Sequence, residues 1–411
     1  MTRYKVFSVI LTIVWSSEVV VHSSPDKQIK SQRLCVKMGK VIVSVINDLV
    51  TDQRVAKSCQ TLQKAGFEVL LVGRRQRKSP PMDARPYVCK RMKLLFEKGP
   101  LFYAEFNIRL FIFLLFHRAD CLLSNDLDTL LPNFFISKLK KIGLIYDSHE
   151  YFTEVPEIVG RPFVQKTWRR IEEFVLPKMK EMITVNESIA DLFRKKYGIE
   201  VHVVRNIPLK AALPDVADKT SLGLPEGKHI LILQGSGINI HRGSEELVEA
   251  MRLLDDYILL IVGGGDVIPV LKKMVTDYGL DEKVRFFPRM PYKKMMSITQ
   301  LADLGLTLDK DTNLNYRFSL PNKLFDYIQA NVPVVASHLP EIERIITEYD
   351  VGTFIDSHEP KAIADAVRSA LDDRNRYLKW KDNLKKAADA LCWENEQNVS
   401  LSIYKRYLKN K

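Results

Sequence analysis

Residues 319–327 read Ser-Leu-Pro-Asn-Lys-Leu-Phe-Asp-Tyr and gather, on one short stretch, residue types that could bind a phosphorylated metabolite. Leu320, Pro321, Asn322 and Lys323 form a loop that opens a helix, and Asp326 lies further along it. A turn at Asn331 then leads into an apolar strand, Val332–Ala336. An exposed helix start offers unpaired backbone N–H groups and a positive dipole end, which favour a bound phosphate. A carboxylate along the same helix can accept hydrogen bonds from sugar hydroxyls. Phosphate at one end with hydroxyls beside it describes the handle of a nucleotide-sugar.

Such a helix start needs a strand in front of it and a sheet behind it. From Met38 onward, short apolar runs alternate with longer amphipathic ones, the pattern of parallel β/α units. Val41–Ile46, Glu68–Val72, Cys121–Asn125, Gly143–Glu150 and His202–Val204 read as strands of a first half. Asp52–Ala65 and Asp128–Lys141 read as helices between them. Residues 209–226 carry prolines, alanines and charges without period and read as a linker. The rhythm then restarts with strands near 229–235, 257–263, 284–287, 305–308, 332–336 and 352–355. The expected architecture is α/β, with two doubly wound halves and a cleft between them. Ligands of such sheets bind beyond the carboxyl ends of the strands. The resulting divisions are an extension at 1–38, a first domain at 39–208, the linker, a second domain at 227–385 and a helical tail at 386–411.

Charge and cysteine content bound the partners. Lys and Arg number 62 against 50 Asp and Glu, a net +12 that favours anionic partners such as nucleotide diphosphates or an acidic membrane face. The basic residues are dispersed and no nucleic-acid recognition motif appears, so nucleic acid is not expected. Five cysteines without a CxxC pair argue against a disulfide framework or a zinc site and for a reducing compartment. At the N-terminus, Arg3 and Lys5 precede the apolar run Val6–Trp15, with Ser23 and Ser24 following. That outline fits either a signal peptide or an upstream extension before a true start near Met38.

Several motifs in order carry a resemblance. YDSHEYFTEVPE (146–157), TVNESIA (184–190), VVRNIP (203–208), the loop from Gly235 to Gly243, VGGGD (262–266) and SLPNKLFDYIQANVPVVAS followed by LPEI make the chain, over about residues 39–385, similar to family 4 glycosyltransferases. These have the GT-B fold of two Rossmann-like domains, and the resemblance is to bacterial enzymes of surface-polysaccharide assembly. It implies retaining transfer of a sugar from a nucleotide-diphosphate sugar to a sugar or lipid-linked acceptor hydroxyl, with no metal and no other cofactor. It places the donor on the second domain, the acceptor on the first, and the tail helix back against the first domain. The implied location is cytoplasmic, with the inner membrane face as a possible surface.

Residue by residue, the resemblance aligns Asp326 with the second acid of a Glu-x7-Glu element that holds the ribose, while Phe318 replaces the first acid. Arg242 and Gly243 match the basic residue and glycine that cradle the diphosphate, and a fixed cation there stabilises the departing phosphate charge. Gly235 and Gly237 let backbone approach it. Ser236 stands where many relatives have arginine, and Lys323 is either a substitute cation or a solvated helical lysine. His149 and Glu150 match a His-acid pair facing the transferred sugar, with Glu154 and Glu157 on the same loop as candidate acceptor contacts. Asn47, Asp48 and Arg54 are candidate cleft residues; Asp52 is equally a helix N-cap. Gly264, within Gly263–Gly265, lies either beside the nucleotide or in a structural turn. Asp126-Leu127-Asp128 has the form of a manganese motif, yet precedes a helix that Asp128 could cap, and no metal is expected. Tyr103–Phe116 reads as a core helix or as a docking segment for an anionic membrane. A sugar-nucleotide epimerase and a non-catalytic nucleotide-binding partner are the alternative functions.

Overall fold

The computed structural model describes residues 19–20, 38–50, 52–210 and 213–408. The signal-like reading of residues 1–37 therefore falls almost entirely outside the described residues, as does Thr51 of the first loop. The chain divides into two compact units. One comprises Met1–Val185, Ile189–Val204 and Gln397–Lys411; the other comprises Asn186–Ser188 and Arg205–Glu396.

In the first unit the strands are β1 (Val19–Val20), β2 (Met38–Asp48), β3 (Phe67–Arg75), β4 (Val88–Lys93), β5 (Cys121–Asn125), β6 (Gly143–Ser148), β7 (Glu181–Thr184) and β8 (Glu200–Val203). They form a sheet in the order β1-β4-β3-β2-β5-β6-β7-β8, parallel except for the two-residue edge β1. Val41, Ile42 and Val43 are fully buried, as a central parallel strand covered on both faces requires. Asp52 caps the helix Gln53–Lys64 by accepting from the Val55 N–H, and Val55, Cys59 and Leu62 turn its apolar stripe to the sheet. The order reverses between β2 and β5, which sets a switch point there.

The second unit repeats the plan with β9 (His229–Gly235), β10 (Tyr257–Gly263), β11 (Val284–Phe287), β12 (Leu304–Thr307), β13 (Val334–Ala336) and β14 (Gly352–Phe354). All are parallel, in the order β11-β10-β9-β12-β13-β14, with the reversal between β9 and β12. Alternate residues of a strand feed opposite cores. Ile230, Ile232, Ile258 and Leu260 pack with the helix Asn322–Gln329, whereas Leu231, Leu233, Leu259 and Ile261 pack with the helix Pro360–Asp372.

Two expectations, the linker and the apolar run at 103–116, need correction. Residues 209–226 are not a free linker: they belong to the second unit, where Leu224 is buried and Ala217 N–H donates to Ser297 O at 3.0 Å. The apolar run at 103–116 is part of a longer helix, Gly99–Phe116, that is neither a core helix nor wholly exposed. Phe102, Phe106, Leu110, Phe113 and Leu114 are buried on one face, while Leu101, Ile108 and Phe116 are exposed. The tail helix Trp393–Leu408 is divided, with its residues from Gln397 belonging to the first unit. There Ile403 and Tyr404 are buried, and Thr61 donates to Gln397 at 3.0 Å.

Candidate active site

In the second unit the loops after β9 and β12 leave the sheet at its switch point, and both bring charge to it. Arg242, from the first loop, donates through Nη1 to Asp309 Oδ1 at 2.7 Å, and its guanidinium lies over the Tyr316 ring at 4.4 Å. Lys323 Nζ stands 3.7 Å from the other oxygen of Asp309, which Thr307 Oγ1 also approaches at 3.2 Å. Asp309 is fully buried. Burial alone would raise its pKa, but Lys323 and Arg242 overcome that and hold it below the usual carboxylate value. Burial lowers the Lys323 pKa, only partly offset by Asp309. One carboxylate thus braces two cations, leaving a net positive charge.

Two donors on the segments that form this cluster lack partners. Arg242 Nε and Ser319 Oγ are buried with no hydrogen-bond partner among the described residues. A buried unsatisfied donor costs about 1–3 kcal/mol, so such donors suit an acceptor-rich ligand. The start of the helix Asn322–Gln329 adds N–H groups that its first turn leaves without intrahelical acceptors. Leu320 packs on the core below and Asn322 is exposed at the rim.

Glycine is obligatory at two places here. Gly243 has φ +69°, and a side chain would meet Leu308 O at 2.3 Å. Gly263 has φ +132°, and its added Cβ would meet Gly235 O at 1.8 Å. The loops after β9 and β10 are laced together: Gly264 N–H donates to Gly235 O at 3.1 Å and Ile238 N–H to Gly264 O at 3.0 Å. A Cβ at Gly237 would meet only the Asn239 side chain, at an ordinary contact distance of 3.7 Å.

Asp326 is buried, and both its oxygens are engaged, one by Tyr292 OH at 2.8 Å and one by Gln234 Nε2 at 3.1 Å. Gln234 Oε1 accepts from Thr299 Oγ1 at 2.6 Å. A carboxylate accepts about four hydrogen bonds, so any ribose contact falls to the lone pairs these leave. Behind the site, β9 and β12 pair only through Leu231 and Ile232 and then diverge. The Tyr327 hydroxyl fills the gap, accepting from Gln234 N–H and directed at Ile232 O and Leu306 O, each at 3.2 Å.

In the first unit the corresponding feature is a chain of alternating charges. His149 Nδ1 lies 3.2 Å from Asp126 Oδ2, and its Nε2 lies 3.5 Å from Asp147 Oδ2 and 3.2 Å from Asn125 Oδ1. Arg54 Nη2 meets Asp147 Oδ1 at 2.7 Å. Burial would lower the His149 pKa, but Asp126 and Asp147 outweigh it and raise it to about 10. The ring is an imidazolium whose two N–H groups are both held, so it is a fixed donor and not a base. Asp126 has φ 58° and ψ 165°, a backbone region nearly confined to glycine. Its other oxygen accepts from the His149 N–H at 2.9 Å. Asp128 is buried, and desolvation with Asp126 beside it raises its pKa. The two acids therefore do not form a matched pair of carboxylates, and Asp128 does not supply the cap at 126 that its position suggested. Glu150 is half-buried, its carbonyl accepting from Ser148 Oγ at 2.8 Å.

The acceptor-side expectations are partly overturned. Arg54 and Asp48 are buried and do not line a surface: Arg54 pairs with Asp147 and donates to Val204 O at 3.0 Å, and Asp48 pairs with Arg91 at 3.2 Å. Polar residues just beyond a strand resemble site residues until their internal partners are known. Asn47 is exposed and donates to Asp52 at 3.1 Å. Glu154 is held by Arg169 at 2.6 Å. Asp309 escaped the sequence reading, since its partners are distant in sequence and no local motif marks it; Asp126 and Asp147 lie in motifs, but their pairing with His149 and Arg54 is visible only in the fold.

Residues 217–387 match the family model described as Glycosyl transferases group 1, and residues 53–207 match the one described as Glycosyltransferase Family 4. A D-inositol 3-phosphate glycosyltransferase of Xylanimonas cellulosilytica is 23% identical over 280 residues, covering 63% of each chain. The chain thus spans less than two thirds of that relative's length. Among solved structures, sucrose-phosphate synthase of Thermosynechococcus elongatus has a TM-score of 0.74 at 16% identity, covering 90% of this chain and all of that one. Anabaena HepE, in complex with UDP and glucose, has a TM-score of 0.66 at 13% identity, covering 91% of this chain and all of that one. At such identities the likeness is one of fold.

Proposed function

The chain belongs to the family 4 glycosyltransferases of the GT-B fold, and on that premise we propose that it transfers a sugar from a nucleotide-diphosphate sugar to an acceptor hydroxyl with retention of configuration. The observation that carries this reading is the Arg242–Asp309–Lys323 cluster with the unpartnered donors Arg242 Nε and Ser319 Oγ. Charge-assisted bonds from a braced guanidinium to a diphosphate strengthen as the glycosidic bond breaks and the leaving oxygen gains charge. Asp326 holds the ribose, and the His149 imidazolium, its N–H groups held by Asp126, Asp147 and Asn125, faces the transferred sugar as a fixed positive charge. Glu150 faces the same sugar, while Asn47 and Glu154 contact the acceptor. The pathway is cytoplasmic synthesis of a surface polysaccharide or glycolipid.

The test is transfer from labelled UDP- and GDP-sugars, with release of the nucleoside diphosphate as the readout. Arg242→Ala should lower kcat/KM by about 100-fold or more, the scale for losing a donor that stabilises transition-state charge. Unchanged turnover in that variant would remove Arg242 from the site. Release of free altered sugar without any acceptor would instead mark an epimerase.

The lipid-linked acceptor is favoured by one surface. The helices Gly99–Phe116, Leu127–Lys140 and Pro162–Val175 expose Leu101, Ile108, Phe116, Phe135, Leu139, Phe163 and Phe174. Lys98, Arg118, Lys138, Lys141, Lys166, Arg170 and Lys178 are exposed around them. Exposed apolar side chains interspersed with cations on adjoining helices suit the boundary of an anionic bilayer. Co-sedimentation with vesicles of phosphatidylglycerol should fall about tenfold or more for the double variant Ile108→Asp, Phe116→Asp. Equal sedimentation of variant and wild type would refute membrane docking.

A further inference from the structure

The charge at the proposed diphosphate site does not balance. A nucleoside diphosphate carries roughly two to three negative charges at neutral pH, whereas Arg242 and Lys323 share the buried carboxylate of Asp309 and together present about one positive charge. Ser236, the first residue beyond β9, contributes none. A further cation does reach that residue, from a different strand. Arg289, in the loop between β11 and the helix Tyr292–Thr299, donates from Nη2 to the Ser236 carbonyl at 2.5 Å. Its side chain lies directly over Gly264, where an added Cβ would stand 2.9 Å from Arg289 Nε.

Resting on the transferase reading above, we infer that Arg289 is a second cationic ligand of the donor's diphosphate, brought by the loop after β11 to the mouth of the loop after β9. The carbonyl of Ser236 fixes one edge of the guanidinium. The fork has five N–H donors, and a single carbonyl leaves donors that match paired phosphate oxygens. The loops it spans end in Gly235 and Gly264, which present bare backbone to a ligand. Gly264 also keeps the path of the arginine side chain clear. Its φ is not in the left-handed region, so alanine there is tolerated by the backbone and crowds only Arg289.

Isothermal titration of UDP and GDP, with UMP, GMP, uridine and guanosine in parallel, tests this on wild type, Arg289→Ala, Arg289→Lys and Gly264→Ala. For the diphosphate that wild type binds, Arg289→Ala should weaken binding by about 10- to 100-fold, the scale of a lost charge-assisted hydrogen bond. Affinity for the matching nucleoside should stay within about twofold. Lysine should restore part of the loss, because charge returns without the fork, and Gly264→Ala should reproduce part of it. Equal diphosphate affinity in Arg289→Ala and wild type overturns the inference and leaves the transferase reading intact. An equal loss for nucleoside and diphosphate also overturns it, making Arg289 a base contact. If wild type binds neither diphosphate, the transferase reading fails and this inference fails with it.

Discussion

His149 carries a charge because of what surrounds it. With its pKa raised to about 10 against an ordinary 6.5, the folded state holds the proton more tightly than the unfolded chain. The resulting stability is fully present below about pH 6.5 and is lost as pH rises through about 10. Replacing His149 with Gln should therefore destabilise the protein by about 3 kcal/mol near pH 6, the scale for breaking a buried ion pair. The gap between variant and wild type should narrow steadily from pH 7 and close above about pH 10. Urea denaturation across that range measures it, and a gap independent of pH would show that the imidazole is neutral when folded. Single residues were legible in sequence where a strand end and a loop placed them, as for Arg242, His149 and Gly243. Their countercharges were not. Asp309 and Asp147 lie 67 and 93 residues from Arg242 and Arg54, the guanidinium groups they pair with, and only folding joins them.

Pairs of loops, more than single motifs, build the proposed donor site. The turns after β9 and β10 meet mostly backbone to backbone, so any side chain at Gly263 separates them. Gly263→Ala should cost about 2–4 kcal/mol through backbone strain and displacement. It should also weaken nucleoside diphosphate binding at least tenfold while leaving circular dichroism unchanged. Thermal melting and calorimetric titration check both, and a wild-type affinity would mean that the two loops act separately. At this scale the alternating apolar runs announced most strands, since buried parallel strands need continuous Val, Ile and Leu. Apart from very short pieces, two elements escaped. β4 reads Val-Cys-Lys-Arg-Met-Lys, and its charge hides a strand in which Arg91 is neutralised by Asp48. The helix Pro162–Val175 buries only Trp168, Glu172 and Val175, an apolar stripe too thin to stand out.

For the molecule as a whole, the order of elements was readable because the rhythm of strand and helix restarts once. The linker was misjudged, since prolines and charges at 209–226 masked Leu224 and the loop's bonds to neighbouring helices. The last helix has its own consequence. Its residues beyond Gln397 complete the first unit: Ile403 and Tyr404 are buried there, and Tyr407 lies so close to Gly143 that a Cβ would approach its ring at 2.7 Å. Deleting 397–411 should lower stability by several kcal/mol, as each large apolar side chain removed from the core contributes about 1.5–3 kcal/mol. Binding of the nucleoside diphosphate should persist, because its proposed contacts all lie in the other unit. Scanning calorimetry with and without ligand tests this; loss of binding without a fall in melting temperature would contradict the division.

The Tyr327 hydroxyl deserves a last consequence. Three main-chain groups from two diverging strands converge on that oxygen. The spacing of β9 and β12 at their carboxyl ends is accordingly held from the dry interior, by a fully buried phenol. If the proposed donor site is right, its donor choice should widen more on remodelling this wedge than on exchanging Arg242 or Lys323.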